Sequence, residues 1–443
     1  MLDFNPHLKK HLDNKSIELV GLIEKRKSIR KPQKKQGSLG ARISAIEIQV
    51  DESINPIGSE IDSVGQKIDK WMEVKDYEIG FNRENYKEFK KLLTSIHRAK
   101  EINQLATQDF IEEVAFRWMI DVYQTQQAPQ NLSTLITQSI EESILEQVYC
   151  FPIINLDINA IINIGKVQIK YFTEKDFNDL EESFPEDAKE RVSFFRKRYQ
   201  GNVVAAIAMR AHPKRAQQFA LESCLLAVDV LKICSNTLFH PKTEISFDID
   251  IRAKHPQSEC LMHPKKIMNN LSFSSSREFT PLVIDQRYRL SMEPQLSTLS
   301  EFIGKPNDNE LTNLILNAIR GFGDALTNND LPKRVIELFS VFESLLLPAE
   351  NAPIQDSLVK YGTKLITNDI EERTYLNTLI KEMYKIRSMM VHHGKRKDID
   401  LGKLGKLQLA LMRLILKLIE KNKTHKSKAS IIKEIDDAIN AAY

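Results

Sequence analysis

A mainly α fold with a smaller α+β part is what this sequence predicts, and three observations predict it. Glycine and proline are scarce, at 15 and 16 of 443 residues, which disfavours a turn-rich β chain. Apolar residues recur at three- and four-residue intervals over long stretches, the spacing that lines one face of a helix. Strict apolar–polar alternation, the mark of a half-buried strand, is confined to short segments. With 42% hydrophobic and 28% charged residues the composition is that of a globular chain, and at about 100–200 residues per domain the length allows two or three domains with their own cores.

Taken in order, residues 1–23 carry one helical pattern (Leu8, Leu12, Ile17, Val20, Ile23). Lys25, Arg26, Lys27, Arg30, Lys31, Lys34 and Lys35 then place seven positive charges in eleven residues. Such a run is a solvated arm or an electrostatic hook for RNA phosphates, in which Arg30, Lys31, Lys34 and Lys35 are the central candidates. Ser44–Val50 alternates as a strand does, and helical patterns continue through Trp71, Phe89, Leu92, Leu93 and Ile96. Residues 108–126 and 132–149 read as amphipathic helices, the second on Leu135, Ile136, Ile140, Ile144, Leu145 and Val148, with a turn at Ala128–Asn131 between them. Lys166–Phe172 alternates as a second strand, Glu186–Tyr199 is a charged helix, and Val203–Leu238 reads as a long small-residue helix broken near Pro213. Thr243–Arg252 shows the longest period-two alternation in the chain, and Pro281–Met292 contains another (Leu282, Ile284, Tyr288, Leu290).

Gly304-Lys305-Pro306-Asn307-Asp308-Asn309 interrupts the pattern and sets the expected division: an α+β region at 1–304, subdivided near 80 and 240, and a helical domain at 305–443. Helices are expected over Leu311–Leu326, Leu331–Leu347, Pro353–Thr367, Ile370–Val391, Leu401–Lys421 and Ser430–Ala442. Polar links as short as Asn328-Asn329-Asp330 suit an antiparallel bundle, and Asn329 or Asp330 before Leu331-Pro332 supplies an N-cap with an early proline.

The formal charge of +3 gives no global pull toward nucleic acid, so a phosphate-binding surface has to be local. Cys150, Cys224, Cys234 and Cys260 lack C-x-x-C spacing and read as free thiols of a reducing cytoplasm. The first ten residues lack the apolar core of a signal peptide, and no apolar run approaches the ~18 residues of a membrane span; a soluble cytoplasmic protein is expected. His255, Cys260 and His263 fall within nine residues but lack a fourth ligand for zinc, and no cofactor is expected.

The most chemically loaded stretch is Tyr384-Lys385-Ile386-Arg387-Ser388-Met389-Met390-Val391-His392-His393-Gly394. An arginine stays cationic and offers a fork matched to phosphate oxygens, whereas a histidine exchanges protons near neutral pH. RNA brings its own nucleophile, the 2′-hydroxyl, so such a pair could cleave it without metal, leaving a 2′,3′-cyclic phosphate and a 5′-hydroxyl. The bland alternative is that Arg387 makes a salt bridge while His392 and His393 sit in the last turn of a helix closed by Gly394. At about 100° per residue Arg387 and His392 lie about 140° apart around a helix, so convergence needs the helix to end near Val391 or a second copy to complete the site. Glu343, between Phe342 and Leu345-Leu346, borders the core and calls for a cation; Arg387 and Arg373 are the candidates. Lys395 and Arg396 add positive charge just past the glycine.

These residues resemble the HEPN superfamily. Val335–Leu346, with Glu343 inside an apolar run, resembles its acidic helix; Glu372-Arg373, Tyr384, Arg387-Ser388, Val391-His392 and Gly394 follow in the order of the ApeA-like branch. The resemblance covers roughly residues 310–420. It implies a toxin-like endoribonuclease of antiviral or abortive-infection defence, acting as a homodimer on tRNA or other cellular RNA under a phage-derived trigger or regulatory protein. It implies that Arg387 and His392 are catalytic and that Glu343, Ser388, His393 and Tyr384 support them. Many members carry asparagine where this chain has Ser388, and His393 doubles the histidine. A non-catalytic RNA-binding or dimerisation module of the same fold is the alternative.

Overall fold

The computed structural model describes residues 4–28, 57–183, 189–252, 259–261, 273–275, 282–306, 308–349, 351–394 and 397–441. The fold is mainly α with a smaller α+β part, and it divides into two compact units. One comprises Met1–Gln147 with Met209–Phe219, the other Val148–Ala208 with Ala220–Tyr443.

The first unit begins with helix α1 (Pro6–Val20), capped by the Asn5 side chain. Strands β1 (Glu24–Lys27), β2 (Ile57–Gly58), β3 (Lys70–Val74) and β4 (Tyr77–Phe81) form an antiparallel sheet ordered β1-β4-β3-β2. Helices α2 (Arg83–His97), α3 (Lys100–Leu105), α4 (Gln108–Thr125) and α5 (Leu132–Ser143) follow. Asn82 caps α2 by accepting from Glu84 N and Asn85 N, and Thr107 caps α4 by accepting from Phe110 N, as short polar side chains do at helix starts. Phe81, Phe89 and Phe116 pack at centroid distances of 5.2–6.3 Å in the core. Two charges are buried with them. Lys70 and Glu112 pair at 2.6 Å, and the Tyr86 hydroxyl donates to the same Glu112 oxygen at 2.9 Å, so neither charge is left uncompensated in a low-dielectric interior.

Strand β5 (Leu145–Ile154) is followed by β6 (Leu156–Ile158), β7 (Ile162–Ile164) and β8 (Val167–Tyr171), then α6 (Glu174–Ser183) and α7 (Lys189–Tyr199). Next come β9 (Val203–Ala211), α8 (Pro213–Ile233) and β10 (Asp248–Ile249). The five-stranded sheet is ordered β10-β5-β9-β8-β7. After the small hairpin β11 (Glu259–Leu261) and β12 (Phe273–Ser275), strand β13 (Leu282–Ile284) pairs in parallel with β6.

Four expectations fail in this region, each for a physical reason. The segment 203–211 is a strand rather than a helix. As the central strand of its sheet it is buried at five consecutive positions from Val203 to Ile207, and a short, wholly apolar run carries no period by which to tell helix from strand. The helix starts only at Pro213, a favoured first position. The helix expected to 149 stops at Ser143; Leu145 and Val148 are 48% and 67% exposed on β5, where β-branched and aromatic residues take over. Thr243–Arg252 pairs only at Asp248–Ile249, against Ile153–Ile154, because Asp248 and Arg252 are drawn onto charges of α8. Tyr288 and Leu290 belong to helix α9 (Gln286–Gly304), whose N-cap Asp285 accepts from Tyr288 N at 2.8 Å. A fifth expectation fails in the first unit: Trp71, expected in a helical pattern, lies on strand β3, paired with Gly80 of β4. The alternation at Ser44–Val50 falls outside the described residues, whereas that at Lys166–Phe172 is β8.

The C-terminal helices form as expected: α10 (Glu310–Leu326), α11 (Leu331–Leu346), α12 (Ile354–Ser357), α13 (Thr363–Ile366), α14 (Ile370–His393), α15 (Leu401–Lys421) and α16 (Lys428–Asn440). The one helix expected over Pro353–Thr367 is split by a π-helical turn at Leu358–Gly362. Helix α11 packs on α10, α14, α15 and α16, and Asp330 rather than Asn329 caps it. The boundary expected near Gly304 falls inside the second unit, and buried polar contacts explain why. Arg334, 1% exposed, donates to Pro241 O at 2.8 Å and Asn328 O at 2.9 Å, while Gln408 donates to Thr237 O and Leu238 O. Gly405 lets the backbone at Phe239 approach so closely that a Cβ would lie 3.1 Å from its carbonyl oxygen. The helices are thus keyed to the 237–241 segment.

Candidate functional site

The candidate residues sit on α11 and α14. Helix α11 buries Val335, Leu338, Phe339, Phe342, Leu345 and Leu346, and that stripe leaves Glu343 at its edge. Helix α14 is started by Asp369, which accepts from Glu372 N at 2.7 Å, and buries Leu376, Leu379, Ile380 and Met383. Beyond Met383 the helix has no fully buried residue: Ile386 to Met390 are half-buried and Val391 to Gly394 exposed. Gly394 ends it at φ +62°, donating to Met390 O at 3.0 Å, a left-handed position that glycine takes without strain.

Of the two arginines weighed for Glu343, Arg387 makes the pair. Its Nη2 lies 3.1 Å from Oε1 and donates to Oε2 at 3.3 Å, with the side chains 15% and 17% exposed. The closer oxygen, Oε1, makes no well-formed hydrogen bond, and neither does Arg387 Nε. Both of these atoms are enclosed, so the pair is held by one long hydrogen bond and by charge. Burial raises the Glu343 carboxyl above its ordinary range, and Arg387 draws it part of the way back. Tyr384 lies under the guanidinium, 5.5 Å from its ring centroid, and meets Phe339 edge-on at 5.4 Å; packing and cation–π contact are its evident roles.

His392 and His393 are exposed in the last turn, and among the described residues neither forms a side-chain hydrogen bond or ion pair. The helix continues through His393, so it does not end near Val391 to bring His392 toward Arg387. On ideal geometry the two residues lie about 140° apart and about 7.5 Å along the axis. Tyr384, Ser388 and Val391 occupy the strip between them, Ser388 one turn before His392. Arg373 instead turns to the loop before α14, donating to Thr367 O at 3.2 Å. Its neighbour Glu372 forms a two-point pair with Arg413 of α15, which holds the Glu372 carboxyl down to about 2.

Arg30, Lys31, Lys34, Lys35, Lys395 and Arg396, the proposed RNA contacts, lie outside the described residues, as do His255 and His263. Among the described residues no group of three or more His, Cys, Asp or Glu side chains could hold a metal ion, and no helix is long and apolar enough to cross a membrane.

Besides Lys70–Glu112, a second buried ionic cluster escaped the sequence reading. Lys232, wholly buried on α8, pairs with Asp248 at 2.7 Å and Asp229 at 3.4 Å; Arg252 reaches Asp229 at 2.6 Å and Asp248 at 2.9 Å. Burial lifts the Asp229 carboxyl to about 6 against the pull of Arg252 and Lys232. The available signal was Asp229 and Lys232, two charges three residues apart in the otherwise apolar run Leu225–Cys234.

No protein-family model, curated protein or solved structure matches this chain. The functional reading therefore rests on the residues themselves.

Proposed function

We propose that the chain is a metal-independent endoribonuclease whose site is built on α11 and α14 of a HEPN-like helical bundle. One observation carries the reading: a half-buried arginine steadied by Glu343 lies on the same helix as two exposed imidazoles, five and six residues further on, that have no side-chain partner among the described residues. Arg387 would hold the phosphate oxygens and answer the charge that builds on them. His392 would take the 2′-hydroxyl proton as that oxygen attacks phosphorus; the bond to the 5′-oxygen breaks and that oxygen takes up a proton. A continuous helix separates Arg387 from His392, so two copies of the chain would supply one composite site. The defence role, with RNA such as tRNA as target and a phage-derived trigger, belongs to the same proposal through the HEPN resemblance.

The test is cleavage of total RNA in EDTA by the purified chain. His392→Ala removes an exposed side chain and should leave folding intact. Arg387→Lys keeps a cation beside Glu343 but loses the fork. Each should lower cleavage by about 10²–10⁴-fold, with 2′,3′-cyclic phosphate ends from the wild type. Undiminished cleavage by both variants would refute the assignment. RNA binding without cleavage, unchanged by His392→Ala, would establish instead a binding or dimerisation module, a reading favoured by the engagement of Arg387 with Glu343.

A further inference from the structure

The first unit contains a polar cleft of about 450 Å³, independent of the reading of α14. Four cationic side chains line it, Lys67, Lys90, Lys214 and Arg215, against the carboxylates of Asp109 and Glu112. What matters is how those charges are already committed. Glu112 is answered from behind by buried Lys70 at 2.6 Å and by the Tyr86 hydroxyl. Asp109 is exposed and loosely paired with Lys67 at 3.6 Å. Among the described residues, Lys90 and Arg215 are held by neutral acceptors and meet no carboxylate. Lys90 donates to the Lys67 carbonyl at 2.6 Å and lies 4.9 Å from the Tyr86 ring centroid. Arg215 donates through Nε to the Asn103 carbonyl at 2.6 Å, and through its two Nη atoms to the side chains of Asn103 and Gln218. Lys214 is exposed and has no ion-pair partner among the described residues.

Neutral acceptors orient a cation without cancelling its charge. Lys90 and Arg215 are thus fixed in place with their electrostatic attraction intact, as in a site made ready for an anion. The starts of two long helices add to this: α4 opens at Gln108 after its Thr107 cap, and α8 at Pro213, immediately before Lys214 and Arg215. Thr107 and Gln108 also line the cleft, and helix starts carry partial positive charge. His97, on the same wall, is held below its ordinary pKa by burial and by the charge of Arg215, consistent with a positive local potential.

We propose that this cleft binds the phosphate group of a small phosphorylated ligand through Lys90, Lys214 and Arg215. Its volume suits a nucleotide-sized molecule. A free polyphosphate and a nucleoside polyphosphate share the recognised group, and a titration separates them.

The experiment uses the full chain, with calorimetric titration of pyrophosphate and of ATP at fixed ionic strength and sodium sulfate as the control anion. Pyrophosphate should bind more tightly than sulfate. Lys214→Glu, which alters an exposed side chain, should weaken that binding by about tenfold or more, and Lys90→Gln should do so as well. Lys87→Glu, exposed on α2 outside the cleft, should change nothing. ATP binding tighter than pyrophosphate would show that the nucleoside is also held; equal affinity would show that the phosphates suffice. Absence of binding by both, equal binding of sulfate, or identical affinities in wild type and Lys214→Glu would overturn the proposal. So would binding of a single-stranded RNA oligomer that is sensitive to Lys214→Glu when neither small ligand binds.

Discussion

Replacing Arg387 with alanine tests the electrostatics of the candidate site most directly. The change leaves the Glu343 carboxylate, 17% exposed, without the cation that now lies 3.1 Å away. Removing one partner of a fully buried pair costs about 3–5 kcal/mol. This pair is partly open and has one hydrogen bond, of 3.3 Å, so the cost should fall nearer the ~1.5 kcal/mol of a hydrogen bond to a charged group. About 2 kcal/mol at pH 7 is expected.

The dependence on pH has a definite sign. Burial raises the Glu343 carboxyl above 4.5 in the folded protein, so the folded state holds this proton more firmly than the unfolded chain does. The contribution of the group to stability is therefore greatest below the unfolded value and declines as pH rises through the folded one. Arg387 limits that decline by favouring the carboxylate. Its removal should cost little near pH ~4, where Glu343 is protonated in both variants, and should approach the full ~2 kcal/mol by neutral pH. Urea unfolding followed by circular dichroism at several pH values measures this. A penalty independent of pH, or one below ~0.5 kcal/mol at pH 7, would show that Glu343 is not a buried charge balanced by Arg387.

Two further outcomes follow from the geometry. Arg413 holds the Glu372 carboxyl down to about 2, from 4.5, so the stability it adds is present above 4.5 and is lost as pH falls toward 2; because the pair is over a third exposed, Glu372→Gln should cost under ~1 kcal/mol at pH 7, and the gap from wild type should close in acid unfolding between those values. A gap that widens in acid would contradict this. Gly323→Ala would set a Cβ 2.8 Å from the Asp229 Cβ, a side chain pinned by Lys232 and Arg252; it should destabilise by ~1–3 kcal/mol where a helical glycine replaced by alanine ordinarily gains stability. A thermal melt showing stabilisation would refute the close packing.

The sequence alone determined the elements whose signals are local. The amphipathic stripes of α4, α10, α11, α14 and α15 repeat over several turns, and a helix with a continuous apolar face has one way to bury it. Asn329 or Asp330 before Leu331-Pro332, and Gly394 after His393, mark helix ends because the unpaired backbone groups there need those residue types; the structure chose Asp330. The need of Glu343 for a cation was legible for the same reason, since a carboxylate beside Phe342 and Leu345 has few alternatives.

Only the tertiary structure decided the rest. Val203–Ile207 is apolar and buried on both faces, and its identity as a strand depends on neighbours that come from β5 and β8. The alternation in Thr243–Arg252 was overruled by Asp229 and Lys232, which capture Asp248 and Arg252 from another element. Arg387 rather than Arg373 answers Glu343 because of where α14 crosses α11, and the cation-lined cleft joins residues from 66 to 218. Local periodicity reports which residues a single element must hide. It does not report which distant partner will cover them, because that depends on contacts between elements far apart in the chain.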